Sequence, residues 1–200
     1  MHRRALVPVL VIMLAACGSD TEPSQADAAI DGSAAVDASA DTPPGAFTLT
    51  STVLSEGAAF PTASTCDGAN TSPELAWTSP PASAQSFAVV LTDKTNDLVH
   101  WVIFDVPASA MGLPAAIMKV YSPTDVPGAH QTTSFQPSVT GYLGPCPPQN
   151  QGAHTYEIAA YALDVATLPG ASSTTTRQEA VPLIMQHALG SARLTGSFER

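Results

Sequence analysis

Three prolines stand within four residues, at Pro145, Pro147 and Pro148 around Cys146. Proline fixes φ and removes a backbone donor, so this run can enter neither a helix interior nor a central strand. It can form a stiff wall. The wall sits inside a longer stretch, Gly141 to Tyr156, in which a turn over Gly144 to Pro148 precedes a polar, glycine-containing loop. A strongly alternating strand begins at His154. His154 and Tyr156 are two residues apart and therefore point to one face of that strand. A wall whose shape is set before any ligand arrives, beside two hydrogen-bonding groups, suits a small anion. The stretch points to binding rather than turnover.

The rest of the pattern is short strands between Pro- and Gly-rich turns. Phe47 to Val53 alternates and predicts a strand. Leu54 to Pro61 reads as loop, and Thr65 to Pro73 is dense in turn formers. Glu74 to Trp77 is a short strand broken by Pro80 and Pro81. Ser86 to Asp93 is the clearest core strand, with Phe87, Val89 and Leu91 alternating with Ala88, Val90 and Thr92. A tight connection leads to a strand over Val99 to Val106. Strict alternation places His100, Val102, Phe104 and Val106 on one face there, and Trp101, Ile103 and Asp105 on the other. The run from 108 to 140 reads mostly as loop, of a length that is functional or draped over a sheet. His154 to Leu163 is the next strand. One helix is predicted, from a capping box of Thr176 and Glu179, through Val181, Ile184, Met185, Ala188 and Leu189, to a stop at Gly190. Pro182 either kinks that helix or marks its regular start. Arg193 to Phe198 is a last strand. The pattern is that of an all-β protein: a β-sandwich of two antiparallel sheets with one C-terminal helix and long Pro-rich loops.

The N-terminus reads as an address. His2, Arg3 and Arg4 precede a short apolar run, Ala5 to Met13, too short to span a bilayer. Residues 1–16 are therefore expected to be a signal peptide. Leu14-Ala15-Ala16-Cys17 resembles a bacterial lipobox, which implies lipidation of Cys17. Gly18 is not the aspartate that this resemblance links to inner-membrane retention. The expectation is a lipid-anchored protein of the bacterial cell envelope, on the outer membrane facing periplasm or exterior. Residues 17–45 then read as an acidic spacer. Asp20, Glu22, Asp27, Asp31, Asp37 and Asp41 stand there without any Lys or Arg, and such a segment cannot bury enough apolar surface to offset its ordering entropy. Their spacing lacks the pattern of a calcium loop. Residues 46–200 form one domain. Of the seven Lys and Arg in the chain, Arg3 and Arg4 precede it, and of seventeen Asp and Glu, the six above do. The remaining five bases against eleven acids argue against nucleic acid or a broad anionic surface as partner. An anion site must be local. With Cys17 lipidated, Cys66 and Cys146 remain as candidates for a disulfide in an oxidising compartment.

Asp93, His100 and His154 all fall at strand ends. The short turn between consecutive strands predicts that Asp93 and His100 lie within a side-chain length of each other, and the Gly141–Tyr156 stretch brings His154. Several motif pieces stand in order beside them: Thr65-Cys66-Asp67-Gly68, Asn70-Thr71-Ser72-Pro73-Glu74-Leu75-Ala76-Trp77, His100-Trp101-Val102, Gly141-Tyr142-Leu143-Gly144-Pro145-Cys146-Pro147-Pro148, His154-Thr155-Tyr156 and His187-Ala188-Leu189-Gly190. On these residues the chain resembles the phosphatidylethanolamine-binding proteins, also called Raf-kinase-inhibitor-like proteins, over residues 47 to 200, and most nearly their bacterial branch. The resemblance implies a two-sheet sandwich with a small pocket for phosphate or a similar anion. It implies that Asp93, His100, Pro147, Pro148, His154 and Tyr156 line the pocket, with the backbone of Gly144 and Cys146. It also implies a Cys66–Cys146 disulfide bracing the proline wall.

The chain departs from the family pattern in three places. Asp93-Lys94-Thr95-Asn96-Asp97 replaces an acid- and proline-rich loop. Ser134-Phe135-Gln136-Pro137 stands where an Asn-Asp-aromatic-Gly run is usual. Thr155 replaces a common basic residue, so weaker anion affinity is expected. His187 reads as a packed, hydrogen-bonded histidine, and His130 has no assigned role. Two other functions compete with simple binding. Asp93, His100 and His154 formally make a two-His-one-carboxylate metal set that could support catalysis, although no nucleophile is paired with a base in a recognisable motif. The family name also suggests an inhibitor of a protein partner, a kinase or protease. The expectation is a binding protein, with no catalytic residue, no cofactor, no metal and no nucleic acid.

Overall fold

The computed structural model describes residues 45–200. The expected signal peptide, the lipidated Cys17 and residues 18–44 of the spacer lie outside the described residues. The described chain forms strands β1 (Thr48–Thr50), β2 (Leu75–Thr78), β3 (Ser86–Asp93), β4 (Leu98–Pro107), β5 (Gly112–Leu113), β6 (His130–Gln131) and β7 (His154–Leu163), then helix α1 (Arg177–His187) and strand β8 (Ala188–Phe198). Two antiparallel sheets result, one in the order β1-β2-β5 and one in the order β6-β4-β3-β7-β8. The expected β-sandwich with one C-terminal helix is what forms.

Burial follows from the alternation. On β3, Phe87, Val89 and Leu91 face the small sheet; on β7, Tyr156, Ile158, Ala160 and Ala162 do so. They pack there with Trp77, Trp101 and Tyr142. The opposite residues, Ala88 and Val90 on β3 and Ala159, Tyr161 and Leu163 on β7, pack under α1 against Ala180 and Ile184. The large sheet is thus apolar on both faces, which is why β3 reads as a nearly continuous apolar run.

β4 does not keep the strict alternation expected of it. Leu91 pairs with Trp101 but Thr92 pairs with Val99, so His100 is an extra residue. Farther along, Phe87 pairs with Val106 and Val89 with Ile103, and Asp105 absorbs the second surplus residue at φ +56°. A bulge places two residues opposite one and interrupts the two-residue side-chain period. Phe104 therefore faces α1 while Val106 joins the inter-sheet core. His100 is turned onto the side of Trp101 and Tyr156 instead of lying with Val102 and Phe104.

The helix begins as its capping box requires. Thr176 Oγ1 accepts from the Glu179 N–H, and the Glu179 carboxylate accepts from the Thr176 N–H at 2.9 Å. Its far end differs from expectation. The chain enters β8 directly at Ala188, whose partner is Leu163, so Gly190 is a strand residue and does not stop the helix. Pro182 remains inside a continuous helix, and Met185 and Leu189 are exposed. The β7–β8 ladder takes over the chain before the apolar helical period can finish. His187 closes the helix and bonds through Nδ1 to Asp164 Oδ1 at 2.9 Å.

The loop from 108 to 140 contributes β5 and β6 and is tied down by a buried side chain. Gln131 accepts from Trp101 Nε1 at 2.8 Å and donates to the Met118 and Val120 carbonyls. His130 stacks on Tyr121 at 4.5 Å and bonds to Ser122 through Nδ1.

Candidate anion-binding site

The site forms where β3 ends, β7 begins and the bulge of β4 turns His100 inward. Asp93 lies directly opposite Tyr156 in the β3–β7 ladder. His154 is the diagonal neighbour on the same face, within reach of a long side chain. Its Nδ1 donates to Asp93 Oδ2 at 2.7 Å. The other carboxylate oxygen accepts from the Thr95 N–H at 2.9 Å. Asp93 is thus held at both oxygens and holds the His154 ring in turn. The expected short-range partnership across the β3–β4 turn does not form as a hydrogen bond. Asp93 bonds to His154, sixty-one residues away, and acts on His100 only through its charge.

His100 is pinned from the other side. Its Nδ1 lies 3.1 Å from the Leu143 carbonyl and 3.0 Å from the Gly144 carbonyl. Carbonyls only accept, so Nδ1 carries the proton and Nε2 is the nitrogen without a protein partner among the described residues. Burial holds the His100 pKa below the usual imidazole value, outweighing the Leu143 and Gly144 carbonyls and Asp93, which favour the charged ring. Tyr156 meets the His100 ring edge-on at 5.4 Å and Phe135 at 4.6 Å. The Tyr156 hydroxyl is buried without a well-formed hydrogen bond among the described residues. Burial first, and then the nearby Asp93 carboxylate, raise its pKa above the usual phenol value. It is a neutral phenol with the Asp93 carboxylate beside its O–H.

The proline wall is positioned by the turn at Thr65–Ser72. Cys66 and Cys146 form a disulfide with Cα atoms 5.3 Å apart. Cys66 N–H donates to the Pro145 carbonyl, Tyr142 O–H to the Ser64 carbonyl, and Gly144 N–H to Asn70 Oδ1 at 2.7 Å. A Cβ on Gly144 would overlap the Ser64 carbonyl. Gly144 is a strut, and this corrects one expectation: its N–H is committed to Asn70 and its carbonyl to His100, so its backbone offers a ligand no donor. The Cys146 backbone acts on the Tyr156 hydroxyl, opposing the rise in its pKa. Pro147 is buried, whereas Pro148 is exposed. At the outer end, Arg200 pairs with Asp67 at 2.8 Å and reaches Cys146 Sγ at 3.5 Å.

The geometry is that of a narrow, nearly closed niche. Asp93 is 2%, His100 1% and His154 6% exposed. Two wider concavities lie elsewhere, one of about 550 Å³ between the β1 and β8 edges and one of about 640 Å³ beside the start of α1. Neither touches these three residues, and neither gathers their chemistry. Among the described residues no three His, Cys, Asp or Glu side chains converge as metal ligands do. Asp93 faces the His154 Nδ1 in place of a centre shared with both imidazoles.

Phe135 and Asn70 are site components that sequence reasoning did not assign. Asn70 stood inside a quoted motif, so a signal existed. Phe135 follows no strand period. Arg177 Nη1 donates to the Ser134 carbonyl at 2.7 Å, beside Phe135.

The chain is thus a two-sheet sandwich with a histidine–carboxylate cluster closed by a proline turn. The phosphatidylethanolamine-binding protein family model matches residues 50–199. A Mycobacterium tuberculosis protein that carries the lipoprotein name LppC is 32% identical over 209 aligned residues, covering 100% of this chain and 98% of that one. A UPF0098 protein of Methanothermobacter thermautotrophicus is 34% identical, over 70% of this chain and 91% of its own length. Among solved structures, Escherichia coli YbcL, described as a member of the mammalian PEBP family, superposes with a TM-score of 0.69 at 27% identity, over 77% of this chain and 98% of that one. A Chlamydia trachomatis homologue of phosphatidylethanolamine-binding proteins gives 0.64 at 26% identity. The chain belongs to the phosphatidylethanolamine-binding protein family.

Proposed function

We propose that this protein binds a small phosphate-like anion in the niche formed by Asp93, His100, His154 and Tyr156, and that it does so as a binding protein of the bacterial cell envelope and not as an enzyme. The observation that carries the reading is the pinning of both imidazoles through Nδ1, His154 to Asp93 at 2.7 Å and His100 to two carbonyls. Each ring is left with Nε2 as its only polar atom for a ligand. The Tyr156 phenol, with the Asp93 carboxylate beside its O–H, stands next to them. Buried polar groups are normally satisfied: a neutral Nε2 accepts from a ligand O–H, and the phenol can donate to a ligand oxygen. No activated nucleophile accompanies them: Cys66 and Cys146 are joined to each other.

The envelope address rests on the residues before the described domain. Leu14-Ala15-Ala16-Cys17 and the lipoprotein name of a relative aligned along the whole chain both support lipid anchoring at Cys17; the outer membrane is the place we propose, because Gly18 and not aspartate follows. Pro147 and Cys146 would shape one side of the niche.

The test is calorimetric titration of inorganic phosphate into the purified protein and into Asp93→Ala/His154→Ala. The double variant is expected to lose phosphate binding while keeping its near-ultraviolet circular dichroism. Unchanged binding in a folded double variant places the site elsewhere and overturns the reading.

A further inference from the structure

The charged groups around the disulfide differ on its two sides. Cys66 and Cys146 are both half-buried, at the outer end of the proline wall. Cys146 Sγ accepts from Arg200 Nη1 at 3.5 Å. Cys66 Sγ has the Asp67 carboxylate as its neighbour, with Oδ1 at 3.9 Å. The same Oδ1 accepts from Arg200 Nε at 2.8 Å. Asp67 thus holds the guanidinium by one nitrogen and leaves another directed at Cys146. The main chain of Arg200 is fixed as well, since its carbonyl oxygen accepts from the Asn150 N–H at 3.0 Å.

A disulfide opens when a thiolate attacks one sulfur and the other departs as a thiolate. The departing sulfur leaves faster the lower its pKa, and a neighbouring arginine lowers a thiol's pKa. A thiolate on Cys146 faces the guanidinium. A thiolate on Cys66 faces a carboxylate. The surroundings therefore favour cleavage in one sense only.

We propose that the disulfide is a thiol-exchange site with a fixed direction: an external thiolate attacks Cys66 Sγ, and Cys146 leaves as a thiolate paired with Arg200. The co-reactant is a thiol reductant. Its sulfur bonds to Cys66 Sγ as the Cys66–Cys146 bond breaks, and the electron pair of that bond passes to Cys146 Sγ. The product is a mixed disulfide on Cys66. A second thiolate of the reductant then attacks the reductant's own sulfur in that mixed disulfide and releases Cys66, which takes up a proton. Two reductant thiols are oxidised to a disulfide and the protein gains two electrons. Without the second thiolate, Cys146 attacks Cys66 Sγ, expels the reductant and restores the original bond. The Cys66–Pro145, Tyr142–Ser64 and Gly144–Asn70 hydrogen bonds hold the two segments together for that return.

The test exposes the full chain to glutathione at about pH 8 for short times and quenches it with N-ethylmaleimide. Peptide mass spectrometry then maps each label to its cysteine. Glutathione on Cys66 with maleimide on Cys146 is expected at least about tenfold more often than the reverse. Arg200→Gln should slow opening and erase most of that preference, with Arg200→Lys recovering part of it. A second measurement uses the pH dependence of alkylation in the single-cysteine variants. Cys66→Ser should leave a Cys146 thiol with a pKa below the ordinary value of about 8.5, and Cys146→Ser a Cys66 thiol at or above it. Equal labelling of the two sulfurs, an Arg200→Gln protein that opens like the original, or opening only in denaturant overturns the assignment. None of these outcomes touches the phosphate reading, which is tested by titration.

Discussion

At the scale of the residue, His100 carries the most consequence. Its folded-state pKa lies below its unfolded value because the ring is buried, so below about pH 6.5 the unfolded chain takes up a proton that the folded chain resists. The sign follows: stability is greatest above the unfolded pKa and declines as pH falls through it. In anion-free buffer the thermal midpoint should drop between about pH 7.5 and about pH 5.5, and His100→Gln should flatten that slope. An identical slope in both proteins would show that other groups set it. Gly144 is as tightly specified. An added Cβ meets the Ser64 carbonyl and crowds the Tyr142 hydroxyl, both backbone or buried, so neither yields cheaply. Gly144→Ala should cost toward the upper end of the about 1–3 kcal/mol seen for overpacked cores, measured by denaturant unfolding. How much of the site was legible divides along the same line. Asp93, His154 and Tyr156 were visible because strand ends and a two-residue period place them. The His154–Asp93 bond, in place of an Asp93–His100 one, was not, because His100 is moved by a bulge that leaves no local mark in the sequence.

At the scale of the element, β3 and β7 were readable to the residue. Their alternation is unbroken, and each face meets apolar neighbours. β4 was readable as a strand but not in its facing, since Asp105 looks like an ordinary polar residue and is in fact the hinge of a bulge. It is buried and accepts from the Leu168 N–H at 2.7 Å. The helix was legible at its start, where capping chemistry is local. It was misread at its end, where pairing with β7 competes with helical period. Thr176→Ala removes the Oγ1 acceptor for Glu179 N–H and breaks the reciprocal box. A loss of about 1 kcal/mol is expected, visible as a shift in denaturant midpoint without a change in slope. The neighbouring Arg177 bonds to the Ser134 carbonyl, so the variant also reports whether fraying of the helix start loosens that loop.

At the scale of the whole molecule, the disulfide links positions eighty residues apart. In the chain-entropy account, closing a loop of that size stabilises by about 4–5 kcal/mol. The same two segments are joined by the Cys66–Pro145, Tyr142–Ser64 and Gly144–Asn70 hydrogen bonds. Cys66→Ser/Cys146→Ser should therefore melt well below the original protein in calorimetry, yet bind phosphate within about threefold of it at low temperature. Loss of binding in the folded double variant would mean that the covalent link itself shapes the niche. The long-range architecture was legible only through the sum of its motifs. No window of the sequence shows that Ser134 meets Arg177 or that Phe135 meets His100.

The β8 edge has a final consequence. Beyond Arg193 its outward groups are already occupied: Thr195 pairs with Glu56 and Gly57, and Ser197 with Ala58 and Phe60. At the opposite margin of the sheet, β6 is only two residues long. Copies of this molecule crowded side by side would find little unsatisfied backbone through which to zip together.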